Sequence, residues 1–176
     1  MATAAYSTVF AQPADAVWNL IRDFNNYPVW VDGAGESRIE DGKSGDCVGA
    51  VRDVLYQGNR IRQRLLALSD AERTQTYGFA GAPPAYLPGL QDFQATIRVT
   101  PIVDGDGAFV EWTAIFESDA DRRDALRDFL SHAFAKWLGS LRRALEPGRS
   151  AAQPAATASP SISTFSSGPA SPAITR

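Results

Sequence analysis

Few residues in this chain of 176 have side chains suited to catalysis or ligation, and their types narrow the chemistry. His132 is the only histidine and Cys47 the only cysteine. Neither belongs to a Ser-His or Cys-His pair of the kind that activates a nucleophile. His132 falls nearly opposite the centre of its own helical stripe, beside Asp128 and Lys136, and is expected to be solvated. With one His and one Cys, a catalytic zinc would need an all-carboxylate exception to the usual ligand sets, so no metal site is expected, and no cofactor. Asp104-Gly105-Asp106-Gly107 suits a hairpin turn better than a calcium loop, whose ligands spread over a longer segment. Asp23 reads as a turn residue that bonds nearby backbone. The remaining polar groups of interest sit on strands. Arg52 shares a face with Val48, Ala50 and Val54, so it points inward, whereas Arg62, Arg64 and Arg98 point outward. Gln63 and Tyr77 are inward on adjacent strands. A buried Arg must be paired, and a ligand carboxylate or enolate would serve; a surface or Asp-paired Arg52 is the alternative. Tyr donates to a ligand oxygen and Gln donates and accepts, although the two would equally satisfy each other, or water, within a core. Leu65, Phe79, Phe93, Ala95, Ile97, Trp112, Phe134 and Trp137 supply apolar surface around them, as packed core or as ligand contacts. So aromatic a lining would suit a flat or ring-bearing ligand.

The elements that must position these groups are legible from periodicity. Asp121 to Leu145 predicts one long amphipathic helix. Its stripe is Leu126, Phe129, Leu130, Ala133, Phe134, Trp137, Leu138, Leu141 and Leu145, at helical spacing. Ser118 with Asp121 resembles a capping box, Arg142 and Arg143 suit the last turn, and Pro147-Gly148 stops the helix. Before it come strands: Tyr6 to Phe10, Ser37 to Glu40, Val48 to Tyr56, Ile61 to Leu68, Arg73 to Phe79, Leu90 to Pro101 and a partner carrying Val110, Trp112, Ala114 and Phe116. Phe93, Ala95, Ile97 and Val99 alternate with polar residues, the pattern of a half-buried strand. Two short helices, at Ala14 to Phe24 and Tyr27 to Trp30, follow the first strand. Consecutive hairpins make an antiparallel meander with one dry face, and the long helix is left to cover it, giving an α+β class.

Composition excludes several functions. With 44% hydrophobic residues the chain suits one full core. Residues 147–176 are mostly Ala, Ser, Pro, Thr and Gly and read as a disordered tail beyond a domain at 1–146. Of the 17 Lys and Arg, two lie in that tail, leaving 15 against 20 Asp and Glu in the domain. An acidic domain without a basic patch argues against nucleic acid. No apolar run reaches membrane-spanning length, and the N-terminus lacks the pattern of a signal peptide, so a cytoplasmic location is expected.

Four stretches resemble the START-like helix-grip superfamily, which includes pollen-allergen-type proteins, abscisic acid receptors and bacterial polyketide cyclase/dehydrase-like and lipid-transfer proteins. They are Phe10-Ala11-Gln12-Pro13 with Val17-Trp18-x-Leu20-Ile21-x-Asp23-Phe24-x-x-Tyr27-x-x-Trp30; Val48-Gly49-x-x-Arg52-x-Val54; Ile61-x-Gln63-x-Leu65 with Ser69-Asp70 and Tyr77; and Phe93-x-Ala95-x-Ile97-x-Val99-x-Pro101 with Val110-x-Trp112-x-Ala114-x-Phe116. The resemblance implies a seven-stranded antiparallel sheet gripping the C-terminal helix, with an apolar cavity between them. It puts loops near Trp30, Gln57 to Arg60 and Gly81 to Leu87 at the entrance. Many members have Glu where this chain has Gln63, and the hormone receptors' buried Lys has no counterpart between Ala34 and Ile39. The function implied first is binding or transport of a small apolar or amphipathic molecule. A polyketide cyclase or dehydratase acting in the same cavity is the alternative, and a protein-interaction module a third.

Overall fold

The computed structural model describes residues 1–146, so the tail expected at 147–176 lies outside the described residues. In chain order the elements are β1 (Ala2–Phe10), α1 (Ala14–Ile21), α2 (Tyr27–Trp30), β2 (Ala34–Ile39), β3 (Val51–Tyr56), β4 (Asn59–Ser69), β5 (Thr74–Phe79), β6 (Gln91–Ile102), β7 (Gly107–Glu117) and α3 (Arg123–Ala144). Alternation builds the sheet. Ala95, Ile97 and Val99 of β6 are buried between exposed Gln94, Arg98 and Thr100. Val110, Trp112, Ala114 and Phe116 of β7 are buried likewise. The two strands pair with Ile97 opposite Trp112 and Val99 opposite Val110, which merges their dry faces. The seven strands form one antiparallel sheet in the order β1-β7-β6-β5-β4-β3-β2. The fold is α+β and helix-grip-like, as expected.

α3 covers that dry face, packed against β1, β7 and α2. It buries Leu126, Leu130, Phe134, Leu138 and Leu141, the spacing of one helical face. Its C-terminal end is tied down: the Arg142 guanidinium donates to Thr8 Oγ1 at 2.8 Å and to Val9 O at 2.9 Å, and Arg143 pairs with Asp32. Among the described residues no helix is long and apolar enough to cross a membrane.

Several expectations are corrected. The third strand starts at Val51, not Val48, and Val48 is exposed. The cause is Gly49, whose φ of +90° leaves β geometry. The capping box does not form: Ser118 Oγ donates to Asp119 O, and α3 begins at Arg123 after a turn closed by Arg122 N to Asp119 O. Phe129 belongs to the predicted stripe yet is 48% exposed, at the edge of the buried row formed by Leu126, Leu130 and Phe134. Strand one begins at Ala2 rather than Tyr6, pairing along its whole length with β7.

Candidate functional site

Between α3 and the strands β3 to β6 lies a cavity of about 480 Å³. That is within the size range of small-molecule sites. Its inner wall is Tyr27, Val54, Ile61, Gln63 and Tyr77, and its sides are Phe79, Phe93, Leu130, Ala133, Phe134 and Trp137. Exposed lining residues mark the mouth: Gln57 and Asn59 from the β3–β4 turn, Tyr86 from the loop after β5, and Phe129, His132 and Lys136 from α3. Tyr86 and Phe129 face each other across the opening with ring centroids 6.2 Å apart. Loss of solvent around its ring at the mouth pushes the Tyr86 phenol up to about 12.

Aromatic packing holds the walls. Trp112 stacks on Phe134 at 5.0 Å with planes 8° apart, and Trp137 lies 5.1 Å from Trp112. Phe79 and Phe93 pack at 4.8 Å, and Phe93, on the inward parity of Ala95 and Ile97, lies within a register shift between β6 and β7. The Trp137 indole N–H donates to Tyr56 Oη at 2.9 Å, closing one side of the mouth with a polar clasp.

The inner wall is where the polar groups gather. Arg52 of β3 is fully buried. Its guanidinium lies between the Phe24 ring, 3.9 Å from Cζ, and the Tyr27 ring, 3.6 Å away. It donates to Phe24 O and to Gln63 Oε1, both neutral acceptors. Burial pulls its pKa down from the ordinary arginine value, and a guanidinium still remains charged in any folded protein. Tyr27 and Tyr77 meet through their hydroxyls at 3.3 Å. Burial raises the Tyr27 phenol despite the nearby Arg52 charge. It raises Tyr77 further, with Tyr27 adding to the effect. Both are therefore neutral donors at physiological pH.

Of the residues proposed from the sequence, Gln63, Tyr77, Phe79, Phe93, Phe134 and Trp137 line the cavity. Leu65, Ala95, Ile97 and Trp112 do not: each is buried in the core layer behind the wall. Arg52 is inward, as parity requires, but one side chain behind the lining. Gln63 and Tyr77 do not pair with each other; Gln63 meets Arg52 and Tyr77 meets Tyr27. Trp30, placed at the entrance by the resemblance, is 2% exposed and packs 5.9 Å from Trp112 instead. His132 is exposed as expected, with Nδ1 2.7 Å from Asp128 O, yet it stands at the mouth. Asp23 is a turn residue, its carboxylate accepting from Asn25 N at 2.8 Å. Among the lining residues not proposed as site candidates are Tyr27 and Tyr56; Tyr56 shares the inward parity of Arg52 and Val54 and could have been found by alternation. Tyr27 reaches the site from α2, and nothing in a strand pattern reports on a helix that folds across it.

Among the described residues no cluster of His, Cys, Asp and Glu could hold a metal ion. No curated protein matches this chain. Solved structures do. A protein from Nitrosospira multiformis is 23% identical, covering 82% of this chain and 97% of its own, with a TM-score of 0.70. An uncharacterised protein from Bacillus thuringiensis is 26% identical over 82% and 98%, also at 0.70. A Thermobifida fusca protein solved in solution is 26% identical over 82% and 93%, at 0.71. The family model described as polyketide cyclase / dehydrase and lipid transport matches residues 1–146, the whole of the described chain. With a match of that extent over the fold and cavity just described, the chain belongs to the polyketide cyclase/dehydrase and lipid transport family.

Proposed function

We propose that this protein binds a small apolar or amphipathic molecule, ring-bearing or lipid-like, inside the cavity between the sheet and α3, and serves as its carrier. The observation that carries the reading is the cavity itself: about 480 Å³, aromatic on several sides, with a mouth between α3 and two loops. Apolar ligand surface buried there would contribute roughly 25 cal/mol per Å² toward binding. The reading favours a small molecule over a protein partner because the apolar surface is concave and mostly internal.

The test is to fill the cavity. Ala133 of α3 lines it and is half-buried. Ala133→Trp should keep the melting temperature within a few degrees and abolish uptake of a neutral fluorescent probe, N-phenyl-1-naphthylamine, that the native protein binds. A native protein that ignores the probe, or a filled variant that binds it equally well, would remove the reading.

A specific observation supports a second reading, the cyclase or dehydratase. The paired hydroxyls of Tyr27 and Tyr77 stand next to a buried Arg52, a setting in which a developing enolate would be stabilised by donors and charge. Turnover of an aromatic polyketide chain, lost in Tyr77→Phe with uptake retained, would establish it.

A further inference from the structure

The buried polar atoms around the inner wall are unbalanced. Among the described residues the buried side-chain donors without a hydrogen-bond partner are Arg52 Nε, Trp30 Nε1 and Trp112 Nε1. All three belong to one cluster: Arg52 lies on the Tyr27 ring, Tyr27 packs 5.1 Å from Trp30, and Trp30 packs 5.9 Å from Trp112. The acceptors without a partner lie elsewhere, Gln12 Oε1 in the turn after β1 and Asp53 Oδ1 on the outer side of β3, where Arg38 and Arg60 pair with that carboxylate. The inner end is thus short of acceptors, not of donors. It also carries a whole positive charge with no carboxylate hydrogen-bonded to it: both partners of Arg52 are carbonyl oxygens, and Asp23 acts on it only from a distance. An unpaired buried charge is costly, and polar groups left unmatched in a protein interior ask for an explanation.

Gln63 transmits this polarity to the cavity. Only its amide oxygen can face a guanidinium, because two donors would repel. Its amide nitrogen is therefore turned away from Arg52, on a side chain that lines the cavity. Tyr27 and Tyr77 also line it, and of two hydroxyls bonded to each other one keeps a free proton. The wall thus presents N–H and O–H donors in front of a buried cation, and the rest of the cavity is mostly aromatic or aliphatic.

We infer that the ligand carries an anionic oxygen headgroup, a carboxylate or an enolate, which seats between Gln63, Tyr27 and Tyr77 with Arg52 behind it, while its apolar body fills the space toward Trp137 and Phe79. This rests on the small-molecule reading above and names the ligand's chemical class. The headgroup accepts from the Gln63 amide and the free tyrosine hydroxyl and sets a negative charge in front of Arg52, whose own Nε, like the indole nitrogens of Trp30 and Trp112, lies behind the lining, and the aromatic sides orient the body outward to the mouth.

Matched ligands test it. Binding of 2-naphthoate, methyl 2-naphthoate, dodecanoate and methyl dodecanoate is measured by calorimetry at neutral pH on the full chain. The carboxylate of at least one pair should bind about tenfold tighter than its ester, or more. Gln63→Glu places a carboxylate on Arg52 itself, so the folded variant should lose the preference for acid over ester. Esters that bind as well as or better than acids in both pairs would overturn the inference and leave the carrier reading standing. A preference that persists unchanged in a folded Gln63→Glu would overturn Arg52 as its source. Should that variant not fold, the acid–ester comparison in the native protein decides alone. If none of the four binds to a protein that takes up N-phenyl-1-naphthylamine, the inference falls and the carrier reading stands; if the probe is ignored as well, both fall.

Discussion

At the scale of single residues, the two tryptophans of the inner face separate packing from binding. Trp112 is fully buried, stacked on Phe134 and flanked by Trp30, Tyr77 and Trp137. Trp112→Ala should cost about 3–5 kcal/mol by chemical denaturation, the range for emptying a packed aromatic site. Trp137 is half-buried, lines the cavity and donates to Tyr56. Trp137→Ala should cost clearly less than that range and weaken ligand uptake more than it weakens the fold. A Trp137→Ala loss as large as that of Trp112, with uptake intact, would make it a core residue only. Sequence reasoning could place both on the dry face because alternation and helical spacing report which side a residue faces. It could not tell wall from core, because that depends on how far the sheet stands from the helix at each level. Leu65, Ala95 and Ile97 share the inward parity of Gln63 and Tyr77 and still lie behind the lining for that reason. Arg52 shows the same limit: its direction was legible, but its pairing with Phe24 O depends on where the segment after α1 folds back.

At the scale of elements, close approaches and links between loops decide stability. A Cβ on Gly78 in β5 would lie 2.9 Å from Phe93 O in β6, next to the register shift between β6 and β7. Gly78→Ala should therefore destabilise by about 1–3 kcal/mol, as overpacking does, and should disturb the cavity wall, seen as a shifted Phe93 resonance. An unchanged denaturation midpoint would show that the strands part freely there. Ser118→Ala should change stability by less than about 0.5 kcal/mol, since its hydroxyl caps nothing in α3. A loss near 1 kcal/mol or above, typical of a cap, would restore the capping box. The strand-to-helix order was readable because each element keeps its own period over many residues, whereas boundaries shifted wherever a single glycine or turn intervened, as at Gly49 and Ser118. Arg22, just past α1, donates to Asp70 in the β4–β5 turn from Nε at 2.8 Å and to Asp46 at 3.0 Å. The Arg22 guanidinium, then the Trp18 indole, hold the Asp70 carboxyl below its ordinary value. A depressed folded pKa gives stability that is present above the unfolded carboxylate pKa and lost as the pH falls through the folded value. The melting temperature should hold from neutral pH down to the ordinary carboxylate range and drop in more acid solution. Asp70→Asn should lessen that acid drop, and an identical acid profile would deny the link any part in it.

At the scale of the molecule, the sheet closes on α3 from both ends but not along its middle. The C-terminal half of α3 is bound to β1 through Arg142 and to the α2–β2 turn through Arg143. Its middle turns, from Phe129 to Trp137, line the cavity instead, with Phe129 exposed at the mouth, while Leu126 nearer the N-terminus is buried. This division makes one helix both a structural post and a cavity wall. The measurement that bears most directly on this account is native mass spectrometry of the full chain, as purified and after exposure to fatty acids, flavonoids and aromatic polyketides. The account predicts a small molecule held in the folded state, released on denaturation, and excluded by Ala133→Trp. A protein that arrives empty and takes up nothing from the panel would contradict it.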